Sequence, residues 1–252
     1  RSSAWPTSAW RLTCLWLCLS WWQLFNSAAQ GNIMHISQGN HAIEGPSGDI
    51  EIFVDVPTSG VVNGVAIVCH PQPLLGGSAQ HKVPHYLAKS LTEIGWLVVR
   101  PNFRGVGRSG GKHDRGDGEA QDIYWLAQQI KGQFPIAPVA LIGVSFGAFV
   151  QAKVAEKLES TGQQAEYVVL SAMPWGEVEG GRTYDTPQTI ANALVIHGEL
   201  DERVPLASIF AWARSSTQVV SVIPGADHLF TGKLPVLKDL IVTFLQKSKN
   251  NS

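Results

Sequence analysis

The chain has 252 residues, a length typical of one large α/β domain, and a chain this long can bury about 70–75% of its unfolded surface without disulfides or metals. Its 19 basic and 20 acidic residues give a net charge of −1 with no basic block, so nothing favours nucleic acid or an anionic membrane as a partner. The three cysteines form neither a C-x-x-C motif nor a zinc-spaced cluster with histidine, so we expect no metal and no other cofactor.

The first thirty or so residues differ in composition from the rest of the chain. They hold five of the nine tryptophans and two of the three cysteines, but no acidic residue. Arg11, the apolar residues 12–25 and the small residues 27–29 resemble a secretory signal peptide, and the apolar stretch is too short to span a bilayer. Alternatively, Met34 is the first residue of a cytoplasmic protein, which we favour because four bulky tryptophans make a poor signal core.

This composition predicts three parts of the chain. Residues 1–33 lie outside the domain, as a signal-like or non-native segment, residues 34–247 form a single domain, and residues 248–252 are a polar tail. The expected location is the cytoplasm, with secretion or the periplasm as the alternative if residues 1–29 are a signal peptide.

Beyond Met34, strand-like runs alternate with amphipathic stretches. Residues 50–56 alternate with period two, typical of a strand with one exposed face in an antiparallel opening pair. Six short β-branched runs are typical of strands buried on both faces of a parallel sheet: 65–69, 97–99, 139–142, 167–170, 194–196 and 219–223. Apolar stripes at helical spacing comprise Val83, Leu87, Leu91 and Ile94, then Ile123, Ala127 and Ile130, and last Leu234, Leu237, Ile241 and Phe244. This alternation predicts an α/β fold with a mostly parallel, twisted sheet of about eight strands and helices on both faces.

Residues 172–192 form the longest stretch without clear periodicity. About twenty residues are too few for a helical cap domain, so we expect no cap and an open or shallowly covered site. Trp175, within this stretch, is expected either to line the pocket or to pack over the sheet edge.

A strand, a sharp turn with serine at its apex and a helix follow one another around residues 143–147, which read Gly-Val-Ser-Phe-Gly. This G-x-S-x-G arrangement is a nucleophile elbow, which lifts the serine hydroxyl clear of the backbone and leaves helix N–H groups beside it. Residues 107–111 fit the same pattern, but the segment after them is charged, glycine-rich and not helical. We therefore predict Ser145, and not Ser109, as the nucleophile.

A serine nucleophile needs a base to accept its proton, and two histidines follow Ser145 in the chain. His197 ends a strand and is expected to hydrogen-bond to the backbone. His228 lies in a loop between the last strand and the last helix, where a side chain can face the serine. We therefore predict His228 as the base.

The base in turn needs a carboxylate that orients it and stabilises its cation. We choose Asp201, at the tip of the loop that follows the penultimate strand. Two other carboxylates lie in the same loop, and a third adjoins His228. Glu199 and Glu202 are expected to be solvated, and Asp227 is expected to bind local backbone.

The oxyanion formed on the attacked carbonyl needs two donors already in place. We expect one to be the backbone N–H of Phe146, at the positive end of the helix after the elbow. The other is expected in the loop after the first buried strand, where Pro71 and Pro73 lack an N–H and Gln72 is the natural donor. His70, ahead of this loop, is expected to brace it and not to transfer a proton.

Residues 105–110 also match the dinucleotide fingerprint G-x-G-x-x-G. Because this stretch opens no helix, we interpret it as a structural loop and not as a nucleotide site. Arg104 and Arg108 are expected to be paired or solvated, with contact to a substrate carboxylate as the alternative.

Together these motifs resemble a family of compact bacterial α/β-hydrolases without a lid. The marks that carry the resemblance are His70-Pro71-Gln72-Pro73 with Gly76-Gly77, residues 102–109, residues 143–147, His197-Gly198 with Asp201, and residues 224–228. The resemblance extends over residues 43–244 and implies the α/β-hydrolase fold and a Ser-His-Asp triad, but little about substrate. Family members often carry a second histidine where Gln72 stands, so the role of that side chain stays open. Dienelactone hydrolases are more distantly similar, and their usual nucleophile is cysteine.

The leading hypothesis is a carboxylesterase-like serine hydrolase that cleaves small acyl esters through an acyl-enzyme. Ser145 would attack, His228 would move the proton, Asp201 would orient His228, and the N–H groups of Phe146 and Gln72 would bind the oxyanion. The alternatives are a thioesterase or small-amide hydrolase with the same machinery, a non-catalytic binding protein of this fold and, from the glycine fingerprint alone, a nucleotide-dependent oxidoreductase. The expected partner is a small-molecule ester, and the expected assembly is a monomer or homodimer.

Overall fold

The structure is a computed structural model that describes residues 37–216 and 218–247. Lys247 is described by its backbone alone. The predicted N-terminal segment 1–33 and the polar tail 248–252 lie outside the described residues. None of the helices within these ranges is both long enough and apolar enough to cross a membrane.

Ten strands occur in the described chain: β1 (Gly39–Gly45), β2 (Gly48–Asp55), β3 (Gly64–Cys69), β4 (Trp96–Pro101), β5 (Val139–Val144), β6 (Tyr167–Ser171), β7 (Gly176–Val178), β8 (Arg182–Tyr184), β9 (Ala193–Gly198) and β10 (Val220–Ile223). Eight of them form one sheet in the order β1-β2-β4-β3-β5-β6-β9-β10, and β7 and β8 form a separate antiparallel hairpin. In the main sheet only β2 runs antiparallel to its neighbours. The mostly parallel, eight-stranded sheet that the sequence predicts is therefore confirmed.

Within the described ranges, five α-helices accompany the strands: α1 (Lys82–Glu93), α2 (Asp117–Gln133), α3 (Phe146–Ser160), α4 (Leu206–Ser216) and α5 (Leu234–Lys247). On one face of the sheet, α1 and α5 share a core in which Leu87 and Leu237 pack with Ala66 and Val68 of β3. On the other face, α2 and α3 pack against each other. Helices on both faces follow from strands that are apolar on both sides.

Parallel strands bring their carboxyl ends to one edge of the sheet, and this determines where the site can form. Ser145 follows β5, Gln72 follows β3, Asp201 follows β9, and His228 follows β10. These four of the five predicted site residues therefore emerge at the same edge although they are far apart in sequence, and the fifth, Phe146, directly follows Ser145.

Two strands differ from the sequence prediction. Glu51, on the supposedly exposed face of β2, is only 5% exposed. Its carboxylate accepts hydrogen bonds from the side chains of Asn40, Asn102 and Arg108 at 2.8, 2.7 and 2.9 Å. The last strand, β10, is only partly buried because it lies at the edge of the sheet, and Val219 just before it is 80% exposed.

The buried carboxylate of Glu51 is expected to make the fold sensitive to acid. Burial alone raises the pKa of Glu51, but the backbone N–H of Arg108 and the side chains of Asn40, Asn102 and Arg108 together lower this pKa to about 2. The folded-state pKa lies below the usual value of 4.5, so the carboxylate stabilises the fold fully above pH 4.5, and this stabilisation is lost as pH falls toward 2.

Urea unfolding at pH 7 and at pH 3 measures this effect. Between the two pH values, the free energy of unfolding should fall by less in Glu51→Gln than in the native protein. In the control Glu159→Gln, at an exposed position of α3, the free energy of unfolding should fall by as much as in the native protein. Equal losses in all three proteins would contradict the expected role of Glu51.

Candidate active site

Ser145 forms the turn between β5 and α3. Its φ of 55° and ψ of −123° lie in a region that residues with a side chain rarely adopt, a strain typical of functional turns. The hydroxyl Oγ lies 2.8 Å from Nε2 of His228. The strained turn therefore presents the hydroxyl directly to a basic nitrogen.

Two glycines allow the strand and helix of this turn to approach closely. A Cβ at residue 143 would lie 2.3 Å from the carbonyl oxygen of Gly147. A Cβ at residue 147 would lie 2.5 Å from the carbonyl oxygen of Cys69 and 2.6 Å from that of His70. No side chain fits at either position unless the backbone moves.

Gly147→Ala is expected to lower the free energy of unfolding by about 1–3 kcal/mol, because the added methyl group must displace backbone at the end of β3. Urea unfolding measures the change. Gly132→Ala is the matched control, because a Cβ there meets nothing within 4 Å and Gly132 lies inside α2. That change should be neutral or stabilising by up to about 1 kcal/mol. Equal stability of the two variants would contradict the tight packing at Gly147.

The structure brings the predicted base and acid to the serine. Nδ1 of His228 lies 2.8 Å from Oδ2 of Asp201. The other carboxylate oxygen, Oδ1, accepts the backbone N–H groups of Arg203 at 3.0 Å and Val204 at 2.9 Å. Because the carboxylate accepts the proton on Nδ1, the unprotonated Nε2 faces Ser145, which is the tautomer that a general base requires.

His197 also lies near the carboxylate of Asp201, the predicted acid. Its Nε2 donates to the carbonyl oxygen of Val204 at 2.8 Å and lies 3.4 Å from Oδ2 of Asp201. Burial lowers the pKa of His197, so the ring is neutral near pH 7. The expected backbone hydrogen bond is present, but sequence reasoning missed the contact with the acid. The only hint of this contact in the sequence is that His197 and Asp201 are four residues apart.

Of the two predicted oxyanion donors, Phe146 follows Ser145 directly and Gln72 lies in the loop after β3. Phe146 begins α3, Gln72 lines the same cleft as Ser145, and neither backbone N–H donates a hydrogen bond within the described chain. The side chain of Gln72 has a clear structural role. Its Nε2 donates to the Tyr184 hydroxyl at 3.0 Å, and its Oε1 accepts the N–H of Leu74 at 3.3 Å. The assignment of these two N–H groups as oxyanion donors stays a prediction.

His70 braces the loop that carries Gln72. Its Nε2 accepts the backbone N–H of Phe103 at 3.1 Å, and its Nδ1 donates to the carbonyl oxygen of Pro71 at 2.7 Å. Burial lowers the pKa of His70 to about 3, so the ring is neutral near pH 7. A neutral ring with both nitrogens engaged fits the predicted bracing role.

The glycine-rich loop at residues 105–110 is structural. Oγ of Ser109 donates to the carbonyl oxygen of Asn102 at 2.8 Å and accepts the N–H of Glu51 at 3.0 Å. Arg104 binds Asp122 through two hydrogen bonds of 2.8 and 2.9 Å, while Arg108 pairs with Glu51. Both arginines are therefore paired, as expected, and neither lines the cleft beside Ser145.

The stretch 172–192, without periodicity in sequence, forms the hairpin β7–β8 beside the site. Val178, Arg182 and Tyr184 from this hairpin line the cleft, whereas Trp175 does not. The cavity in this cleft is small, about 50 Å³. Two consecutive glycines, Gly180 and Gly181, were the sequence signal for this hairpin.

Within the described ranges, no group of three or more His, Cys, Asp or Glu side chains could hold a metal ion.

Comparisons with known proteins fit this geometry. A family model described as serine aminopeptidase, S33, matches residues 74–194, which include Ser145 and end before Asp201 and His228. An alpha-beta serine hydrolase homologue from Coxiella burnetii is 33% identical with a TM-score of 0.73, over 83% of this chain and 98% of that chain. A serine hydrolase without a lid from Xanthomonas campestris is 32% identical with a TM-score of 0.73, over 86% and 97% of the two chains.

Curated relatives match over shorter stretches. An uncharacterized protein from Rickettsia prowazekii is 41% identical over 107 residues, which are 42% of this chain and 44% of that protein. The chain spans about half the length of the curated relatives it matches. The two solved serine hydrolases, in contrast, match over nearly their whole length. This protein therefore belongs to the α/β serine hydrolases that lack a lid, as its motifs predict.

Proposed function

We propose that the protein is a carboxylesterase-like hydrolase that cleaves small acyl esters through an acyl-enzyme. Membership of the serine hydrolases supports hydrolysis. The ester bond as the bond that is cleaved is part of this proposal. One observation carries the proposal: Ser145, His228 and Asp201 are linked by two hydrogen bonds of 2.8 Å each at the side of a cleft. This is the order of contacts that activates a serine hydroxyl.

In the proposed reaction, Oγ of Ser145 attacks the ester carbonyl while Nε2 of His228 accepts its proton. The N–H groups of Phe146 and Gln72 stabilise the oxyanion, and Asp201 stabilises the imidazolium. His228 then gives its proton to the leaving alcohol, which departs and leaves the acyl group on Ser145. Water attacks this acyl-enzyme, with His228 again as base, and releases the acid.

The size and lining of the cleft support a short acyl group. The small cavity of about 50 Å³ favours a short acyl group, and apolar side chains such as Leu75, Val178 and Leu229 line it. A larger alcohol group can extend toward solvent, because the cleft is partly open.

A small-amide hydrolase is the second candidate, because the matched family model is described as a serine aminopeptidase. Binding a free α-amino group calls for a carboxylate near the reacting serine. No Asp or Glu of the described chain lines the cleft, whereas Arg182 and Arg203 do. The charge of the cleft therefore favours esters over N-terminal peptides.

The test compares turnover of p-nitrophenyl acetate and butyrate with that of an acetyl thioester and of alanine p-nitroanilide. We expect higher kcat/KM for the p-nitrophenyl esters, and fluorophosphonate labelling that adds one mass increment on Ser145. A native protein that fluorophosphonate does not label would support a non-catalytic binding protein. A higher kcat/KM for the anilide would support a peptidase.

A further inference from the structure

We infer that the ester hydrolysed at this site carries a carboxylate, which Arg182 and Arg203 bind. This inference rests on the proposed function and names its substrate class. It depends on how these two guanidinium groups are placed and on which partners they have.

The lining of the cleft carries positive charge that no lining carboxylate balances. Arg182 and Arg203 line it together with Ser145 and His228, and among its described lining residues there is no Asp or Glu. His81 also lines the cleft, but burial lowers the pKa of His81, so it adds no charge near pH 7. The positive charge therefore comes from the two arginines, which stay protonated at any pH of interest.

The Arg182 side chain is partly buried, and its hydrogen bonds to the Glu179 carbonyl and the Tyr184 hydroxyl leave its charge unbalanced. Its Nη2 donates to the carbonyl oxygen of Glu179 at 3.0 Å, which holds the side chain but does not neutralise it. Its Nε is buried and has no hydrogen-bond partner, and Arg182 takes part in no ion pair of the described chain. Buried donors are nearly always satisfied, so an unpaired guanidinium nitrogen at a cleft indicates a missing anionic partner.

Arg203 is only weakly compensated. Its Nε lies 3.8 Å from Oε2 of Glu179, too far for a hydrogen bond, and the Glu179 side chain is 64% exposed. Solvent screens such a pair strongly. The Arg203 side chain is itself 45% exposed, so it can turn toward a ligand at the mouth of the cleft.

Both arginines belong to segments that also hold the reacting groups. Arg182 precedes Tyr184, whose hydroxyl accepts from Gln72, a proposed oxyanion donor. The backbone N–H of Arg203 donates to Asp201, the proposed acid. A carboxylate between the two guanidinium groups would accept charge-assisted hydrogen bonds while its ester lies at Ser145.

Two pairs of esters that differ only in charge test the inference. 4-Acetoxybenzoate and 4-acetoxybenzamide carry the difference on the leaving group, and monomethyl succinate and methyl succinamate carry it on the acyl group. The readout is the ratio of kcat/KM for the charged member over the neutral member. We expect the native protein to prefer the charged member in at least one pair by about tenfold or more, the size of one charge-assisted contact.

Arg182→Gln and Arg203→Gln should each lower this ratio by about tenfold. Arg214→Gln, at an exposed position of α4, should leave the ratio unchanged. Because the side chain of Arg203 is half exposed, its variant is expected to fold even if the loss of Arg182 disturbs the hairpin. Added salt should lower the native ratio, because it screens the attraction.

The outcomes separate this inference from the proposed function. A native ratio near one in both pairs, with hydrolysis of the neutral esters that depends on Ser145, would overturn the inference and leave the proposed function standing. A preference for the charged esters that survives in both arginine variants would also overturn it. Hydrolysis of none of the four esters would overturn the proposed function and this inference with it.

Discussion

Ser145→Ala is expected to lower kcat/KM for p-nitrophenyl butyrate by about 10⁵- to 10⁶-fold, the scale seen when a triad serine is lost. Without Oγ, no acyl-enzyme can form, and His228 loses the hydroxyl that lies 2.8 Å from its Nε2. Substrate binding should change little, because the cleft lining is otherwise intact. Steady-state kinetics, with a mass spectrum taken after fluorophosphonate treatment, measures both the lost rate and the lost label.

Ser109→Ala is the matched control, since Ser109 occupies the same position in the second G-x-S-x-G sequence. Its hydroxyl joins Glu51 and Asn102 and lies outside the cleft. We expect this variant to keep native kcat/KM and to lose about 1–2 kcal/mol of stability with its buried hydrogen bonds. Native turnover in Ser145→Ala would refute the assignment of the nucleophile.

Asp201→Asn is expected to lower kcat by about 10⁴-fold, through the tautomer of His228. The backbone N–H groups of Arg203 and Val204 donate to Oδ1 of Asp201, so the oxygen of an introduced amide must stay there. The amide NH₂ then faces Nδ1 of His228 and requires it to accept. The ring proton moves to Nε2, which can no longer take the proton of Ser145.

The measurement is kcat at saturating ester, with a circular dichroism spectrum to show that the fold persists. Glu202→Gln is the control, because it removes an exposed carboxylate from the same loop and should leave kcat unchanged. A loss in Asp201→Asn no larger than in Glu202→Gln would mean that another group orients His228.

Much of the fold and of the candidate site could be predicted because the signals are local or follow from strand order. The apolar run of β5, the glycines at 143 and 147 and the helix start at Phe146 are neighbours in sequence, and together they determine the elbow. The approximate positions of Asp201 and His228 follow from one rule, that parallel strands end at a common edge.

Other features depend on contacts between distant residues. The burial of Glu51 depends on Asn102 and Arg108, which approach it only when β2 pairs with β4, so the period-two pattern predicted exposure at a position that is buried. The contact of His197 with Asp201 likewise depends on how one loop folds back over its strand end.

The sequence by itself determined the order of strands and helices, the place of Ser145 in the turn before a helix and the loops that hold the other predicted site residues, since each is encoded in a short run of residues. The tertiary structure alone decided that the hairpin β7–β8 lies beside the serine and that Arg182 and Arg203, not Arg104 and Arg108, line the cleft. The physical reason is that an arginine's partner is set by which carboxylate the folded chain brings within reach. Arg104 and Arg108 meet Asp122 and Glu51, while Arg182 meets none within the described chain.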